Sequence, residues 1–274
     1  MSGPTGWIEA VLVCGGRWHD FDYARLRLLR ELGVYELVRT RVFEDYDCRD
    51  ALDTADLLVT YTCATVPTEQ QRKRLADFVS RGGRWLALHG TNAAIEPLGP
   101  EADALFATPR DFGELAEVLG SQFLGHPDIA PYRVVPTEPE HPLLRGIGEF
   151  EVTDELYISE LHPPLRVLAH TRFVGDCPGF AEGHTRTDEI RPVLYLKDHG
   201  AGVVCYLTLG HCRGRYDLRD LGIADLGRTD RGSWESAAFR TILRRCVHWA
   251  VTGRMNADVD GRRELDGYRD AASG

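Results

Sequence analysis

The feature that most constrains the fold is an alternation of apolar and amphipathic runs over the first ninety residues. WIEAVLVC (7–14), YELVRTRVF (35–43), ADLLVTY (55–61) and RWLALH (84–89) read as strands. Between them, Tyr23 to Leu32 carries Leu26 and Leu29 at helical spacing, with Gly33 placed as a C-cap. Pro67 and Thr68 open a second helix, from about Glu69 to Ser80, with Leu75, Phe78 and Val79 on its inner face and Gly82–Gly83 ending it. The near-continuous apolar content of 55–61 and 84–89 suits strands covered on both faces. Strand–helix–strand order predicts a parallel sheet with right-handed crossovers, hence an α/β fold. Sheets of this kind bind ligands beyond the carboxyl ends of their strands. The loops at Gly15–Asp20, Thr62–Thr65 and His89–Asn92 are therefore expected to converge.

The second half is less regular. Phe112 to Leu119 reads as a short helix, and 132–136, 166–172, 192–197 and 203–210 as strands. The turn KDHGAG (197–202) predicts an antiparallel hairpin between the last two. Trp234 to Val251 reads as a long helix with Phe239, Ile242, Leu243, Val247 and Trp249 as its buried stripe. No internal repeat or linker divides the chain, so one domain is expected over 1–253, followed by a polar tail, 254–274.

Chemistry concentrates in the histidines. His19 follows the first strand, His89 closes the fourth, His126 lies in FLGHP, and His211 follows a strand in TLGHC, while Asp154 and Glu155 form an acidic pair. Imidazole suits zinc and similar metals, proton transfer near neutral pH, and hydrogen bonds to sugar hydroxyls. His141 and His162 precede prolines and read as turn residues, and His170, His184, His199 and His248 as structural ones. There is no HExxH, no P-loop, and no GxGxxG after the first strand, so no nucleotide cofactor is expected.

A net charge of −10 disfavours nucleic acid and anionic membranes as partners. Seven cysteines, odd in number and without a CxxC pair, read as reduced thiols of a cytoplasmic protein. The N-terminal stretch does not read as a secretory signal. A two-fold homodimer is the default expectation for assembly.

The order of VLVCGGRWHDF (11–21), TEQQRKRLADFV (68–79), GGRWLALHGTNAA (82–94), FLGHP (123–127), EHPLLRGIGEFEVTDELY (140–157), RVLAHT (166–171), RPVLYLKDHGAGVVCYLTLGH (191–211) and FRTILRRCVHWA (239–250) resembles the ThuA-like, trehalose-utilisation family. The resemblance implies a three-layer αβα sandwich with a mainly parallel central sheet, similar to class I glutamine amidotransferases and flavodoxin-like in outline. In amidotransferases a strand–turn–helix elbow holds a nucleophilic cysteine, and the matching position here is His89. Imidazole cannot form that thioester, so glutamine hydrolysis is expected to be absent.

The family's histidine and acid positions fall on His19, His89, His126, Asp154, Glu155, Tyr157 and His211. The expected roles are catalysis by Glu155, His89 and Asp154, and sugar binding by His19, Asp20, Asn92 and Tyr157. His19, His89, His126 and His211 are the candidate ligands of a divalent metal, zinc first. The substrate implied is a disaccharide, glycoside or 3-keto sugar. A non-catalytic sugar-binding protein is the alternative, and a cysteine hydrolase using Cys63 or Cys212 a third. The segment 175–189 is longer than expected and bears on the shape of the pocket.

Overall fold

The computed structural model describes residues 6–182 and 186–255, of which 186–189 are described in their backbone only. His184 and the tail beyond Met255 lie outside the described residues. The chain runs β1 (Ile8–Gly16), α1 (Phe21–Gly33), β2 (Val38–Phe43), α2 (Arg49–Thr54), β3 (Leu57–Cys63), α3 (Glu69–Ser80) and β4 (Arg84–Leu88). It continues with β5 (Glu96–Pro97), β6 (Phe106–Ala107), α4 (Glu114–Leu119), β7 (Ser121–Gly125), β8 (Ala130–Pro136), β9 (Phe150–Asp154) and β10 (Ile158–Leu161). The last elements are β11 (Arg166–Gly175), β12 (Arg186–His199), β13 (Gly202–Leu207) and α5 (Ala237–Thr252).

The central sheet has the order β2-β1-β3-β4-β13-β12-β11-β8-β9. Its first five strands are parallel. From β12 onward every pairing is antiparallel. The expectation of a mainly parallel sheet is thus corrected to a mixed one. The hairpin at 197–202 joins its two halves and aligns β13 beside β4. One core packs α1 and α5 on one face of the sheet, and a second packs α2, α3 and α4 on the other. This is the three-layer arrangement. Among the described residues no helix is long and apolar enough to cross a membrane.

Local chemistry explains the helices that were legible and corrects details of two. Thr68 accepts from Gln71 N while Gln71 accepts from Thr68 N, a reciprocal cap that starts α3 where expected. In α1 the buried stripe is Ala24, Leu28 and Leu32, at i, i+4 and i+8, and Leu26 faces solvent. Gly33 is the last helical residue; the cap is Val34, whose N–H bonds back to Leu32. A 3-10 turn over Gly232–Glu235 takes the place of the expected start of α5, which begins after Ser236 caps Phe239. Gly15 and Gly16 are glycines because a Cβ would run into the carbonyl oxygens of Glu44 and Cys63, respectively. The two glycines allow close packing of neighbouring strand ends.

Candidate functional site

At the end of β4 the chain turns sharply. His89 adopts φ +46°, a left-handed conformation unusual for any residue with a side chain. A 3-10 turn follows over His89–Asn92. Two tyrosines hold this elbow. Tyr206 Oη donates to the His89 carbonyl (2.7 Å) and accepts from Asn92 N (2.9 Å), and Tyr61 stacks on the imidazole. Gly90 is needed beside it, since a Cβ would lie 2.5 Å from the Thr62 carbonyl oxygen. The strained turn aims the His89 ring at the same point as three other side chains.

Those side chains are His19 from the loop after β1, Glu155 just after β9, and His211 just after β13. One donor atom from each of His19, His89, Glu155 and His211 lies within 4.8 Å of all the others, and all four residues are buried. His89 Nδ1 is 2.9 Å from the Thr208 carbonyl, and His19 Nδ1 is 3.2 Å from the Arg17 carbonyl. A carbonyl can only accept, so both Nδ1 atoms carry the hydrogen. Burial keeps the His19 ring neutral, which leaves a lone pair on its Nε2, and this atom lies 3.0 Å from His89 Nε2. Glu155 Oε2 adds a carboxylate acceptor, 3.2 Å from His89 Nε2 and 3.6 Å from His19 Nε2.

Such converging lone pairs repel unless a cation or proton sits among them. A tetrahedral ion with ligand bonds of about 2.0–2.1 Å spaces its ligands about 3.3–3.4 Å apart, within the spread seen here. The His211 nitrogens are buried without a hydrogen-bond partner in suitable geometry, although Nδ1 is 3.1 Å from Glu155 Oε1. A buried group of three imidazoles and one carboxylate, oriented by backbone carbonyls, could hold a metal ion.

The electrostatics follow from burial and from this crowding. Burial, only partly offset by Glu155, pushes the His19 imidazole down to about 3. Burial works against the charge on His211 too, but Glu155 and Asp230 win, and it is raised to about 9. Burial likewise opposes ionisation of Glu155. The surrounding imidazoles overcome it and hold the carboxyl well below the usual range.

Not every expected residue joins the cluster. His126 sits on the cavity wall, with Nε2 3.6 Å from Glu155 Oε1, and keeps 22% of its side chain exposed against 0–3% for the four central groups. Tyr157 Oη lies 3.2 Å from His89 Nε2. Asp154 faces away from the cavity. Its carboxylate, fully buried, accepts from the backbone N–H groups of Glu155 (2.8 Å), Gly210 (3.1 Å), His211 (3.2 Å) and Ser233 (3.0 Å). Asp20 caps α1 through Tyr23 N and pairs with Arg231 at 2.6 Å. The Asn92 amide donates to Ser121 Oγ, at 2.7 Å.

Two contributors escaped the sequence reading. Arg213 reaches Glu155 Oε1 at 3.1 Å and the Trp18 carbonyl at 3.0 Å. Its signal was available, because in an extended segment it falls on the same side as His211. Asp230 approaches His211 Nε2 at 3.6 Å from a loop that carries no local clue. The cysteine-hydrolase reading finds no activated thiol. Burial pushes Cys212 up to about 12 and raises Cys63 further. Cys212 is within 3.2 Å of Tyr61 Oη and donates to the Asp20 carbonyl, whereas the His211 ring faces Glu155.

Above the cluster lies a cavity of about 660 Å³, and its lining includes His19, Glu155, Tyr157, His126, Trp18 and Phe180. Fold and site together define a three-layer αβα protein with a buried imidazole–carboxylate cluster at the carboxyl ends of its parallel strands. Residues 10–221 match the family described as ThuA, trehalose utilisation, and the chain belongs to that family. Its fold is similar to that of a ThuA-like protein from Parabacteroides merdae, at 16% identity and a TM-score of 0.62 with 91% of each chain covered. It is also similar to one from Bacteroides uniformis, at 13% identity and a TM-score of 0.58 over 92% of this chain and 96% of the other. At such identities the likeness bears on the fold alone. No curated protein matches the chain in sequence.

Proposed function

We propose that this chain is an enzyme of carbohydrate metabolism that acts on a disaccharide, glycoside or 3-keto sugar derivative. Its floor would be His19, His89, Glu155 and His211, with zinc as the bound ion and no glutamine amidotransferase activity. The observation that carries the reading is the convergence of the His19 and His89 Nε2 atoms, 3.0 Å apart, on a buried carboxylate beside a cavity. The family description, trehalose utilisation, supports a sugar as substrate. Three nitrogens and one oxygen, all buried, suit zinc among the common divalent ions. When bound, such an ion would draw electron density from a sugar carbonyl or lower the pKa of water beside it.

The remaining chemistry belongs to the chain's own groups. A ketone at the sugar's third carbon acidifies the neighbouring C–H bond, so a base near that carbon is needed. Glu155 was the first candidate from the sequence. Its two oxygens are crowded by four imidazoles and Arg213, which suits an ionised anchor better than a proton carrier. His126 fits the proton-transfer role better. Its Nδ1 donates to the Pro127 carbonyl at 2.7 Å, its Nε2 faces the floor, and its exposure lets it exchange protons with solvent. Tyr157 would orient the sugar by hydrogen bonding beside His89. Asp154 would act as a positioning residue that sets the backbone of His211. With histidine at the elbow, no thioester can form there. Kinship with the glutamine amidotransferase-like superfamily fits the elbow and the three layers.

Elemental analysis of purified protein, zinc titration, and product analysis with 3-keto disaccharides and 3-keto glucosides test the reading. We expect one equivalent of zinc in wild type, its loss in His89→Ala, and turnover reduced at least about 100-fold in both His89→Ala and His126→Gln. Binding of sugars without turnover would replace the enzymatic reading with that of a sugar-binding protein. Full activity in His89→Ala would end it.

A further inference from the structure

The cavity above the cluster has two parts of opposite chemistry. Its floor is polar. Its outer chamber is walled by Trp18, Phe106, Phe123 and Phe180, with Leu98 and Leu105 at the rim. The rings form a connected surface: Trp18 to Phe106 is 5.2 Å between centroids, Phe106 to Phe180 5.6 Å, and Phe123 to Phe180 5.3 Å. Trp18 is held in place at a cost. It adopts φ +68°, and its indole Nε1 donates to Asp220 at 3.0 Å.

The polar side chains around this chamber are largely engaged with each other. Arg213 is committed to Glu155 and the Trp18 carbonyl, and Asp220 to Arg17 and the Trp18 indole. His126 spends Nδ1 on Pro127. Among the described side chains on the outer wall, this leaves Asp128 and the spare valences of Arg213 and Asp220, all at the wet edge, to answer a ligand hydroxyl. A second sugar ring placed there would bury several hydroxyls against aromatic and aliphatic carbon, where each unpaired group is penalised. A flat apolar group would lose no hydrogen bonds and would gain ring contacts.

We propose that this chamber is an aglycone subsite, and that the natural substrate class is a glycoside with an apolar, aromatic aglycone. The inference rests on the sugar-floor reading above. The sugar ring sits over His19, His89 and Glu155, and the aglycone lies against the surface formed by Trp18, Phe106 and Phe180.

The test uses calorimetric titration of the full-length protein with 4-nitrophenyl glucoside, in both anomers, and with trehalose and cellobiose. Wild type is compared with Leu105→Asp and Phe106→Ser. Leu105 is 68% exposed, so its replacement leaves the core intact. One aryl glucoside is expected to bind about tenfold more tightly than either disaccharide. Both variants should weaken aryl binding by about tenfold and disaccharide binding by less than about twofold. Disaccharides binding as tightly as the aryl glucosides, no binding of any probe, or equal losses for both probe classes would each overturn the proposal. A second arm separates it from the catalytic reading. Aryl preference without turnover of any 3-keto derivative would remove the enzyme assignment and leave the subsite standing. Turnover of a 3-keto disaccharide with kcat/KM equal to that of the aryl derivative would remove the subsite and leave the enzyme assignment standing.

Discussion

Replacing Asp154 with alanine should unfold the site from behind. Four backbone N–H groups, those of Glu155, Gly210, His211 and Ser233, end on its two oxygens, and the side chain has no exposed surface. Alanine orphans all four donors at once where water does not reach. At about 1 kcal/mol per orphaned donor, the low end for a buried group, the loss is about 4 kcal/mol. That is a large part of the roughly 5–15 kcal/mol by which a domain is stable. Asparagine is the informative comparison. Placing its NH2 at Oδ1 leaves only Glu155 N without an acceptor, because His211 N also reaches Oδ2 at 3.2 Å. The amide NH2, facing that N–H without an acceptor of its own, is a second unpaired buried donor, so Asp154→Asn should cost about 2 kcal/mol. Urea unfolding followed by far-UV circular dichroism measures both. Because the clamp sets the backbone beside the His211 ring, zinc affinity should also fall by about 10–100-fold in each variant. A loss under about 1 kcal/mol for alanine, with zinc affinity unchanged, would refute the clamp. A loss confined to turnover would instead place Asp154 among the groups that touch substrate.

Three further outcomes follow from the same geometry. Zinc at about 100 times its Kd should stabilise the protein by about 2.7 kcal/mol, a rise in Tm of roughly 5–10 °C. His89→Ala should abolish the rise, and an equal rise in that variant would place the ion elsewhere. Gly90→Ala puts a Cβ 2.5 Å from the Thr62 carbonyl oxygen and 3.0 Å from Cys63 Cβ, so it should cost about 3 kcal/mol and weaken zinc binding, while a neutral effect in urea melts would show that the elbow has slack. The metal-stripped protein should be most stable near neutral pH. His19 is depressed from 6.5 to about 3, so the unfolded chain takes up a proton that the folded one refuses, and stability falls as pH drops below 6.5, by up to about 1.4 kcal/mol per pH unit. His211 has the opposite sign: its contribution is full below 6.5 and lost as pH rises through about 9. Urea midpoints across pH 4–9 check this, and an acid limb equally steep in His19→Gln would count against it.

The parallel half of the fold was legible because its signals are local. The Thr68 cap and the Leu75, Phe78 and Val79 stripe need no distant partner to be read. Likewise, His89 was found by topology, since a polar residue closing a buried strand must face the ligand edge. The antiparallel half was only partly legible. β7 and β10 form a two-stranded sheet of their own, and β9 pairs only with β8 at the sheet edge, so each depends on contacts made far along the chain. The same dependence hid the division of labour between Asp154 and Glu155. Neighbouring residues in an extended segment point to opposite sides. One of the two had to turn toward the sheet's end loops and the other toward the cavity, but nothing in the sequence says which. The place of His126 was hidden for a related reason. The loop after β7 brings its ring to the cavity wall, outside the cluster that Glu155 joins.

The strain at His89 links fold to chemistry. A left-handed φ on a residue with a side chain costs of order 1–3 kcal/mol and persists only where its surroundings over-determine it. Here Tyr206 bonds both the His89 carbonyl and Asn92 N, and Tyr61 stacks on the ring, so β13 and β3 lock the turn at the end of β4. The locked turn directs Nε2 toward the His19 nitrogen and a carboxylate, an arrangement that a cation or a proton placed among them would favour. A chain under no functional constraint would relieve either the strain or the repulsion by one substitution. Removing Tyr206 Oη alone separates the two costs. Tyr206→Phe should relax the elbow and weaken zinc binding while the aromatic packing against Tyr195 persists, and unchanged affinity would mean that the turn is held by packing alone.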